Sequence, residues 1–253
     1  MARYDGVLLC SDFDGTLSDK KTISPENIEA IKYFQKNGGL FTLASGRFST
    51  ILDEMKDFFV PNTYAILLNG SQIFDFENGK YVYEGTMPME ILDFAYGLFY
   101  EINEISELIF YTYNDLLVYN RDGVDFKTFC SNLPLPIFKM IFKVPREHSD
   151  EITAKIIQRA QGKYNVGRSW VHGIDVQSVN DNKGLAVKRL RNMLGERIEK
   201  VVCVGDYEND IPMLQAADIA YAVENAIPSV KAIAHKVTVS NTSSAIAKII
   251  YEI

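Results

Sequence analysis

The stretch LLCSDFDGTL, residues 8–17, places two acids directly after a short apolar run. The run Leu8 to Cys10 is typical of a buried strand, and Gly15 supplies the turn that follows it. Asp12 and Asp14 lie two positions apart, so in an extended segment their side chains face the same side. We therefore expect a chemical site where this strand ends.

The first third of the chain alternates strands with helices. Ser24-Pro25 provides an N-cap and a proline at the first helical position, and Gly38-Gly39 provides the stop. LFTLAS, FSTILDEMKDFF and YAILLNG then predict a strand, a helix and a third strand. This order favours a parallel sheet.

The middle of the chain has a different pattern, with aromatic strands and antiparallel pairing, and the alternating pattern returns near residue 179. We predict a Rossmann-like doubly wound, mostly parallel α/β core formed by residues 1–83 and 179–253. Residues 84–178 are predicted to form an inserted α+β cap domain. An insertion placed after a strand lies above the carboxyl edge of the sheet, where open α/β folds bind ligands, so it can act as a lid.

The composition excludes several classes of protein. The chain has 253 residues and a formal net charge of −7, and its basic residues alternate with acids, so no nucleic-acid surface is predicted. Cys10, Cys130 and Cys203 are far apart and predict neither disulfides nor a zinc cluster. Neither a signal-peptide core nor a run of about 18 apolar residues is present. We expect a reduced, cytoplasmic protein that does not span a membrane.

Acids follow two predicted strands that are far apart in sequence. Asp12 and Asp14 follow the first strand, and Asp206 follows VVCVG. The carboxyl ends of parallel strands share one edge, so the three acids can converge, and their mutual repulsion must then be relieved by protons or a cation. Oxygen ligands without nearby His or Cys suit Mg²⁺.

Groups suited to a phosphoryl anion lie beside these acids. Thr16 and Ser45 offer hydroxyls, the turns at Gly15 and Gly46 let backbone N–H groups approach an anion, and Lys183 begins a predicted helix. An aspartate can serve as the nucleophile, and a second carboxyl can act as the acid and base. The sequence thus indicates a phosphoryl-transfer enzyme whose substrate is a small phosphorylated molecule.

Four motifs, DFDGTL, LASGR, NDNKG and GDYENDIPML, occur in this order and together resemble those of the haloacid dehalogenase superfamily. The large insertion after the third predicted strand resembles the Cof-type branch of its phosphatases. The resemblance covers the whole chain, and the four motifs together are highly specific.

The resemblance implies roles for the central residues. It makes Asp12 the nucleophile and Asp14 the general acid and base. It assigns Ser45 and Lys183 to the phosphoryl group. It implies that Mg²⁺ is bound by the Asp12 side chain, the Asp14 backbone carbonyl and Asp206.

Four further residues match positions of the family, and Arg47 is a fifth supporting candidate. Asn209 and Asp210 match its acidic pair, and Asp210 is expected to orient Lys183 or a metal-bound water. Asn69 and Asn225 match asparagines near the substrate. Arg47 has two interpretations, an ion pair within the structure or a contact with substrate.

The function predicted from these residues is a Mg²⁺-dependent phosphatase that hydrolyses small phosphomonoesters, such as sugar phosphates or similar metabolites, through an aspartyl-phosphate. Two alternatives stay open. The same residues can pass the phosphoryl group to a sugar hydroxyl, as a phosphotransferase or mutase does. A binding or regulatory protein on an enzyme scaffold is the second alternative, although it has little need of both a nucleophile and an acid.

Overall fold

The computed structural model describes residues 2–19, 22–55, 57–113 and 115–253. Within these residues the chain forms two compact units. The first consists of the segment up to Tyr83 together with Asn182–Ile253, and the second is Glu84–Asp181. The assignment of the two units as catalytic core and cap stays a prediction.

The strands and helices are numbered in chain order. The strands are β1 (Val7–Ser11), β2 (Leu40–Leu43), β3 (Ala65–Leu67), β4 (Gln72–Asp75), β5 (Lys80–Glu84), β6 (Glu107–Tyr111), β7 (Leu116–Asn120), β8 (Lys139–Lys143), β9 (Tyr164–Trp170), β10 (Gly173–Ser178), β11 (Lys200–Gly205), β12 (Ile219–Ala222) and β13 (Lys236–Val237). The helices are α1 (Pro25–Lys36), α2 (Thr50–Met55), α3 (Ile91–Glu101), α4 (Phe126–Ser131), α5 (Ser149–Ala160), α6 (Lys183–Leu194), α7 (Ile211–Gln215), α8 (Pro228–Ile233) and α9 (Ala245–Glu252).

The first unit is built on a parallel sheet with the strand order β13-β12-β11-β1-β2. The central strand β1 is buried because its apolar side chains meet core on both faces. Ser11 at its carboxyl end is paired with Leu43 of β2 and with Val204 of β11. This register brings the three segments that follow these strands to one edge of the sheet.

Local sequence explains why α1 has its observed limits. The Ser24 side chain accepts a hydrogen bond from Asn27 N, and Pro25 occupies the first turn, as predicted. The helix ends at Lys36, and the chain then turns through Gly38, whose φ of 91° lies in the left-handed region that glycine adopts without strain.

The third predicted strand differs from its expected place. β3 meets the parallel sheet through a single bridge, Ala44 with Ile66, and otherwise pairs antiparallel with β4 in a separate sheet ordered β3-β4-β5. The chain reverses direction between β3 and β4 at Asn69 and Gly70, with φ of 55° and 100°. β4 and β5 were not predicted from the sequence.

The second unit contains a sheet ordered β7-β6-β8-β10-β9, in which the strand pairs are antiparallel. Alternate side chains, such as Met140 and Phe142 of β8, join an apolar core that also includes buried residues of α3 and α5. A short helix that was not predicted, α4, is capped by the Asp125 side chain, which accepts from Thr128 N. The predicted fold class, a doubly wound parallel α/β core with an inserted α+β unit, is confirmed.

In the part of the chain that the structure describes, no helix is both long enough and apolar enough to cross a lipid bilayer.

Candidate active site

Asp12 lies directly beyond β1 and is almost fully buried, with 6% of its surface exposed. Its amide donates to Val204 O at 3.0 Å, so the parallel hydrogen-bond pattern between β1 and β11 continues one residue past the strand. The backbone of Asp12 is therefore fixed by the sheet, and its carboxylate has a defined position at the carboxyl edge.

The loop after Asp12 is tightly turned. Leu17 N and Ser18 N both donate to Phe13 O, at 3.1 and 2.9 Å. Gly15 adopts a φ of 89°, and a Cβ at this position would lie 2.6 Å from Asp206 Oδ2. Glycine is therefore required both by the backbone conformation and by the close approach of a carboxylate.

Lys183 joins this edge from the first turn of α6. The helix is capped by Asn182, whose side chain accepts from Leu185 N at 2.8 Å. Lys183 Nζ donates to Asp12 Oδ1 and to Asp210 Oδ1, both at 2.6 Å, and the lysine is completely buried. The ammonium group thus bridges two carboxylates that lie on different segments.

Asp210 is held in place from its other oxygen. Its Oδ2 accepts hydrogen bonds from the backbone N–H groups of Asp206, at 2.9 Å, and Tyr207, at 3.1 Å. The expectation that Asp210 orients Lys183 agrees with these contacts. Asp206 itself accepts from the Thr16 hydroxyl, with Oγ1 3.1 Å from Oδ1.

The charges of this cluster do not balance, because three buried or half-buried carboxylates surround one ammonium group. Burial raises the pKa of Asp12 well above its ordinary value, and the nearby charge of Asp210 raises it further. Burial and Asp210 also raise the pKa of Asp206 to about 7. Burial alone would lower the pKa of Lys183, but the charges of Asp12 and Asp210 outweigh burial and raise it, so the lysine stays charged.

The same cluster has the donors that a divalent cation needs. One oxygen each from Asp12, Asp206 and Asp210 lies within 4.8 Å of the other two. These ligands are all oxygens, which hard cations prefer, and the excess negative charge favours binding of a cation. Carboxylate oxygens of this cluster can therefore hold a divalent metal ion.

Ser45 and Gly46 lie beyond the neighbouring strand β2. Ser45 is buried, its amide donates to Ile66 O at 2.9 Å, and its carbonyl accepts from Asn69 N at 2.9 Å. A Cβ at Gly46 would lie 3.0 Å from Asn69 Oδ1, and that oxygen accepts from Asn209 Nδ2 at 3.1 Å. Ser45, Gly46, Asn69 and Asn209 are thus brought together by the structure.

The Asp14 side chain is directed to a different partner from that of Asp12. Arg47 Nε donates to Asp14 Oδ2 at 2.8 Å, and Arg47 Nη2 donates to Asp14 Oδ1 at 2.5 Å. Of the two interpretations of Arg47, the structure shows the ion pair. The carboxylates of Asp12 and Asp14 therefore have separate surroundings despite their spacing of two residues.

Asn225 contacts the loop after β1. Its Nδ2 donates to Gly15 O at 2.8 Å, and its Oδ1 accepts from Asn241 N at 2.9 Å. The Asn241 side chain also donates to Ser18 O at 3.2 Å. Asn241 was missed by the sequence analysis, since nothing in the local pattern relates it to a loop more than two hundred positions away.

A family model described as haloacid dehalogenase-like hydrolase matches residues 9–250. The chain belongs to the haloacid dehalogenase-like hydrolase family. The predicted family and the predicted enzyme class, a hydrolase, are thereby confirmed.

Two phosphatases match this haloacid dehalogenase-like hydrolase over nearly their whole length. The pyridoxal phosphate phosphatase YbhA of Escherichia coli (strain K12) is 28% identical, with 96% of this chain and 97% of that protein covered. The 5-amino-6-(5-phospho-D-ribitylamino)uracil phosphatase YcsE of Bacillus subtilis (strain 168) is 26% identical, with 97% and 95% covered. The structure of the sugar phosphatase BT4131, of haloacid dehalogenase subclass IIB, superposes with a TM-score of 0.82 at 23% identity, covering 97% of this chain and 98% of that one. At 23% identity, the similarity to BT4131 shows that the two proteins share a fold.

Proposed function

We propose that this hydrolase is a Mg²⁺-dependent phosphatase that hydrolyses small phosphomonoesters through an aspartyl-phosphate intermediate. The observation that carries the proposal is the contact of one buried lysine with two carboxylates, Lys183 Nζ with Asp12 and Asp210 at 2.6 Å each. A buried acid at a strand end, held beside a fixed cation, is suited to covalent catalysis on an anionic substrate.

In the first step a carboxylate oxygen of Asp12 attacks the phosphorus atom, and the bond from phosphorus to the leaving oxygen breaks. Asp14 donates its proton to that oxygen, so the leaving group departs as an alcohol. The different surroundings of the two acids support this division of roles, because Asp12 is buried beside Lys183 whereas Asp14 is 39% exposed and paired with Arg47.

In the second step Asp14 accepts a proton from water, and the oxygen of that water attacks the phosphorus atom of the aspartyl-phosphate. The bond between phosphorus and the Asp12 oxygen then breaks, which releases inorganic phosphate and restores Asp12. The acid of the first step is thus the base of the second, and no histidine is required.

Four residues are proposed to position the phosphoryl group. Lys183 supplies a fixed positive charge, Ser45 supplies a hydroxyl, and the Gly46 backbone can approach an anion because no side chain intervenes. Thr16 belongs to the same loop, although its hydroxyl donates to Asp206. Positioning and charge neutralisation dominate catalysis of phosphoryl transfer.

Asp12, Asp206 and the backbone carbonyl of Asp14 are proposed to hold Mg²⁺, which neutralises charge on the transferring phosphoryl group. Asp210 is better suited to orienting its neighbours than to binding the metal. Its two oxygens are already engaged, one with Lys183 and the other with two backbone N–H groups.

We propose a small phosphorylated metabolite, such as a sugar phosphate, as the substrate. The two curated relatives described above are named for phosphomonoesters of this size, pyridoxal phosphate and 5-amino-6-(5-phospho-D-ribitylamino)uracil. Their full-length similarity to this chain supports the same class of substrate here.

The proposal is tested by measuring phosphate release from p-nitrophenyl phosphate with Mg²⁺ and with EDTA. We expect release that depends on the metal and that is lost in Asp12→Asn, whose fold is checked by circular dichroism. Activity of that variant above a trace contradicts a covalent intermediate on Asp12. Added sugar alcohols that divert phosphate from water indicate a phosphotransferase, and tight Mg²⁺-dependent binding of phosphate esters without turnover indicates a binding protein.

A further inference from the structure

The ion pair between Asp14 and Arg47 is bidentate. Arg47 Nε and Nη2 each donate to a different oxygen of the Asp14 carboxylate, at 2.8 and 2.5 Å. A planar guanidinium that meets both oxygens fixes the plane of the carboxylate as well as its distance. Asp14 therefore has a defined orientation at the edge of the sheet.

Arg47 is itself restrained on several sides. Its amide donates to Ser45 Oγ at 3.1 Å, and its carbonyl accepts from Leu68 N at 3.1 Å. The guanidinium carbon lies 5.1 Å from the centroid of the Phe13 ring. The arginine thus connects two neighbouring strand ends, one of which carries Asp14 and the other Ser45.

Stability is a poor explanation for this arrangement. The side chains of Arg47 and Asp14 are 38% and 39% exposed, and ion pairs with that much solvent contact contribute little to folding. The bidentate geometry and the restrained arginine backbone are features that determine orientation. Both features act on Asp14, whose orientation matters for the proposed proton transfer.

We infer that Arg47 is a positioning residue for Asp14. It holds the Asp14 carboxyl group in the orientation from which the proton reaches the leaving oxygen and is later recovered from water, and it touches no reacting atom itself. This inference rests on the proposed function, because it takes Asp14 as the acid and base.

The test compares two esters of nearly equal shape, p-nitrophenyl phosphate and phenyl phosphate. The p-nitrophenolate ion leaves readily without a proton, whereas the phenolate ion leaves far better when an acid protonates it. A misplaced acid therefore lowers kcat/KM, which reports the first step, more for phenyl phosphate than for p-nitrophenyl phosphate. A general loss of fold or of substrate binding slows both equally.

The variants are Asp14→Asn, Arg47→Gln, Arg47→Lys and the double variant Asp14→Asn/Arg47→Gln. We expect Asp14→Asn to lower kcat/KM, which reports the attack of Asp12 on the ester, about 100-fold for phenyl phosphate and much less for p-nitrophenyl phosphate. The kcat values should fall on both esters, because hydrolysis of the shared aspartyl-phosphate also loses its base. Arg47→Gln should show the same selectivity in kcat/KM at about 10-fold, as a partial loss of acid catalysis. Arg47→Lys should recover part of this loss, because an ammonium group keeps the positive charge but cannot donate to both carboxylate oxygens in the plane of a guanidinium.

Two comparisons complete the test. Adding Arg47→Gln to Asp14→Asn should cause no further loss, since a residue that acts through another has no effect once that partner is removed. Arg191→Gln is the matched control, because Arg191 pairs with Asp218 at 38% and 40% exposure. Asp218 accepts from Val201 N near the start of β11, at the opposite end of that strand from Asp206. Its rates on both esters should equal those of the wild type.

Several outcomes overturn the inference. An equal fall of kcat/KM on both esters in Arg47→Gln shows a contact with the phosphoryl group instead, and additive losses in the double variant show that Arg47 acts independently. Leaving-group selectivity in Asp14→Asn that is absent in Arg47→Gln overturns the positioning role alone. Equal losses of kcat/KM on both esters in Asp14→Asn, or a wild type that hydrolyses neither ester, overturn the proposed function and this inference together.

Discussion

Lys183 Nζ lies 2.6 Å from Asp12 Oδ1, although 171 positions separate the two residues along the chain. The contact joins the first strand of the first unit to the helix that begins where the chain returns to that unit. A buried lysine requires counter-charges, and buried carboxylates require a cation, so each of these groups depends on the others. The acidic cluster is consequently part of what holds the two segments of this unit together.

Replacing Lys183 by methionine, which has a similar volume, should strongly destabilise the metal-free protein. The carboxylates of Asp12 and Asp210 would keep their burial and lose their shared cation, a change that typically costs about 3–5 kcal/mol. Urea unfolding in EDTA measures the loss. Lys188→Met is the matched control, because Lys188 is an exposed residue of the same helix, and its stability should change by less than about 0.5 kcal/mol. Equal effects of the two substitutions would contradict the dependence of the cluster on Lys183.

The pKa of Asp206 predicts how the stability of the metal-free protein varies with pH. Its value of about 7 in the folded protein lies above the ordinary 3.8, so between these two values the folded state binds the proton more tightly than the unfolded state. The free energy of unfolding should therefore fall as pH rises through this window. Added Mg²⁺ should stabilise the protein most above pH 7, where the metal no longer competes with the proton.

The variant Asp206→Asn isolates this effect. Its amide does not titrate, so unfolding experiments between pH 5 and 8 in EDTA should show a shallower fall in stability than the wild type. The variant should also lose the stabilisation by Mg²⁺. The same pH dependence in the wild type and the variant across this window would show that Asp206 is ionised throughout.

Substituting Gly15 and Gly162 by alanine separates two effects, the backbone strain of a positive φ and a steric clash of the added Cβ. Both have positive φ, 89° and 74°, but a Cβ at Gly15 would lie 2.6 Å from Asp206 Oδ2, whereas none of the described atoms lies within 4 Å of a Cβ at Gly162. Alanine at Gly162 should cost about 1–2 kcal/mol from backbone strain and leave catalysis intact. Alanine at Gly15 should cost more and also displace Asp206. Thermal unfolding and Mg²⁺-dependent phosphate release measure the two effects, and unimpaired release by Gly15→Ala would contradict them.

The regular elements could largely be predicted, because their signals are local. The Ser24-Pro25 cap and the left-handed Gly38 limit α1 by interactions within a few residues, and buried apolar runs identify β1 and β11. The hairpin of β4 and β5 was missed because β4, which begins at Gln72 and ends at Asp75, lacks the continuous apolar run that identified β1. The reversal from β3 into β4 also depends on positive φ at Asn69, which is no glycine.

The contacts within the candidate site were predicted less completely than its members. Strand ends in a parallel sheet must share an edge, which was enough to expect Asp12 near Asp206. The pairing of Asp14 with Arg47 and that of Asn225 with Asn241 depend on side-chain directions and on loop register. Such hydrogen bonds between distant segments leave neither a periodic pattern nor a turn signal in the sequence.

Asp210 and Asp218 offer a final comparison, because each accepts hydrogen bonds from a backbone N–H and from a cation. Asp210 accepts from Asp206 N and Lys183, and Asp218 accepts from Val201 N and Arg191.

An asparagine in either place must turn its NH₂ group toward one of these donors, so one hydrogen bond is lost and two donors face each other. At Asp218, which is 40% exposed, water can relieve this conflict, and we expect a loss of about 1 kcal/mol with kcat unchanged. At the fully buried Asp210 no such relief exists, so Asp210→Asn should lose about 3 kcal/mol or more and shift Lys183 away from Asp12. Phosphate release by that variant should fall at least about 100-fold, as expected when the charge and position of a catalytic group are both disturbed. If kcat is the same in the two variants, Asp210 does not orient Lys183 for catalysis.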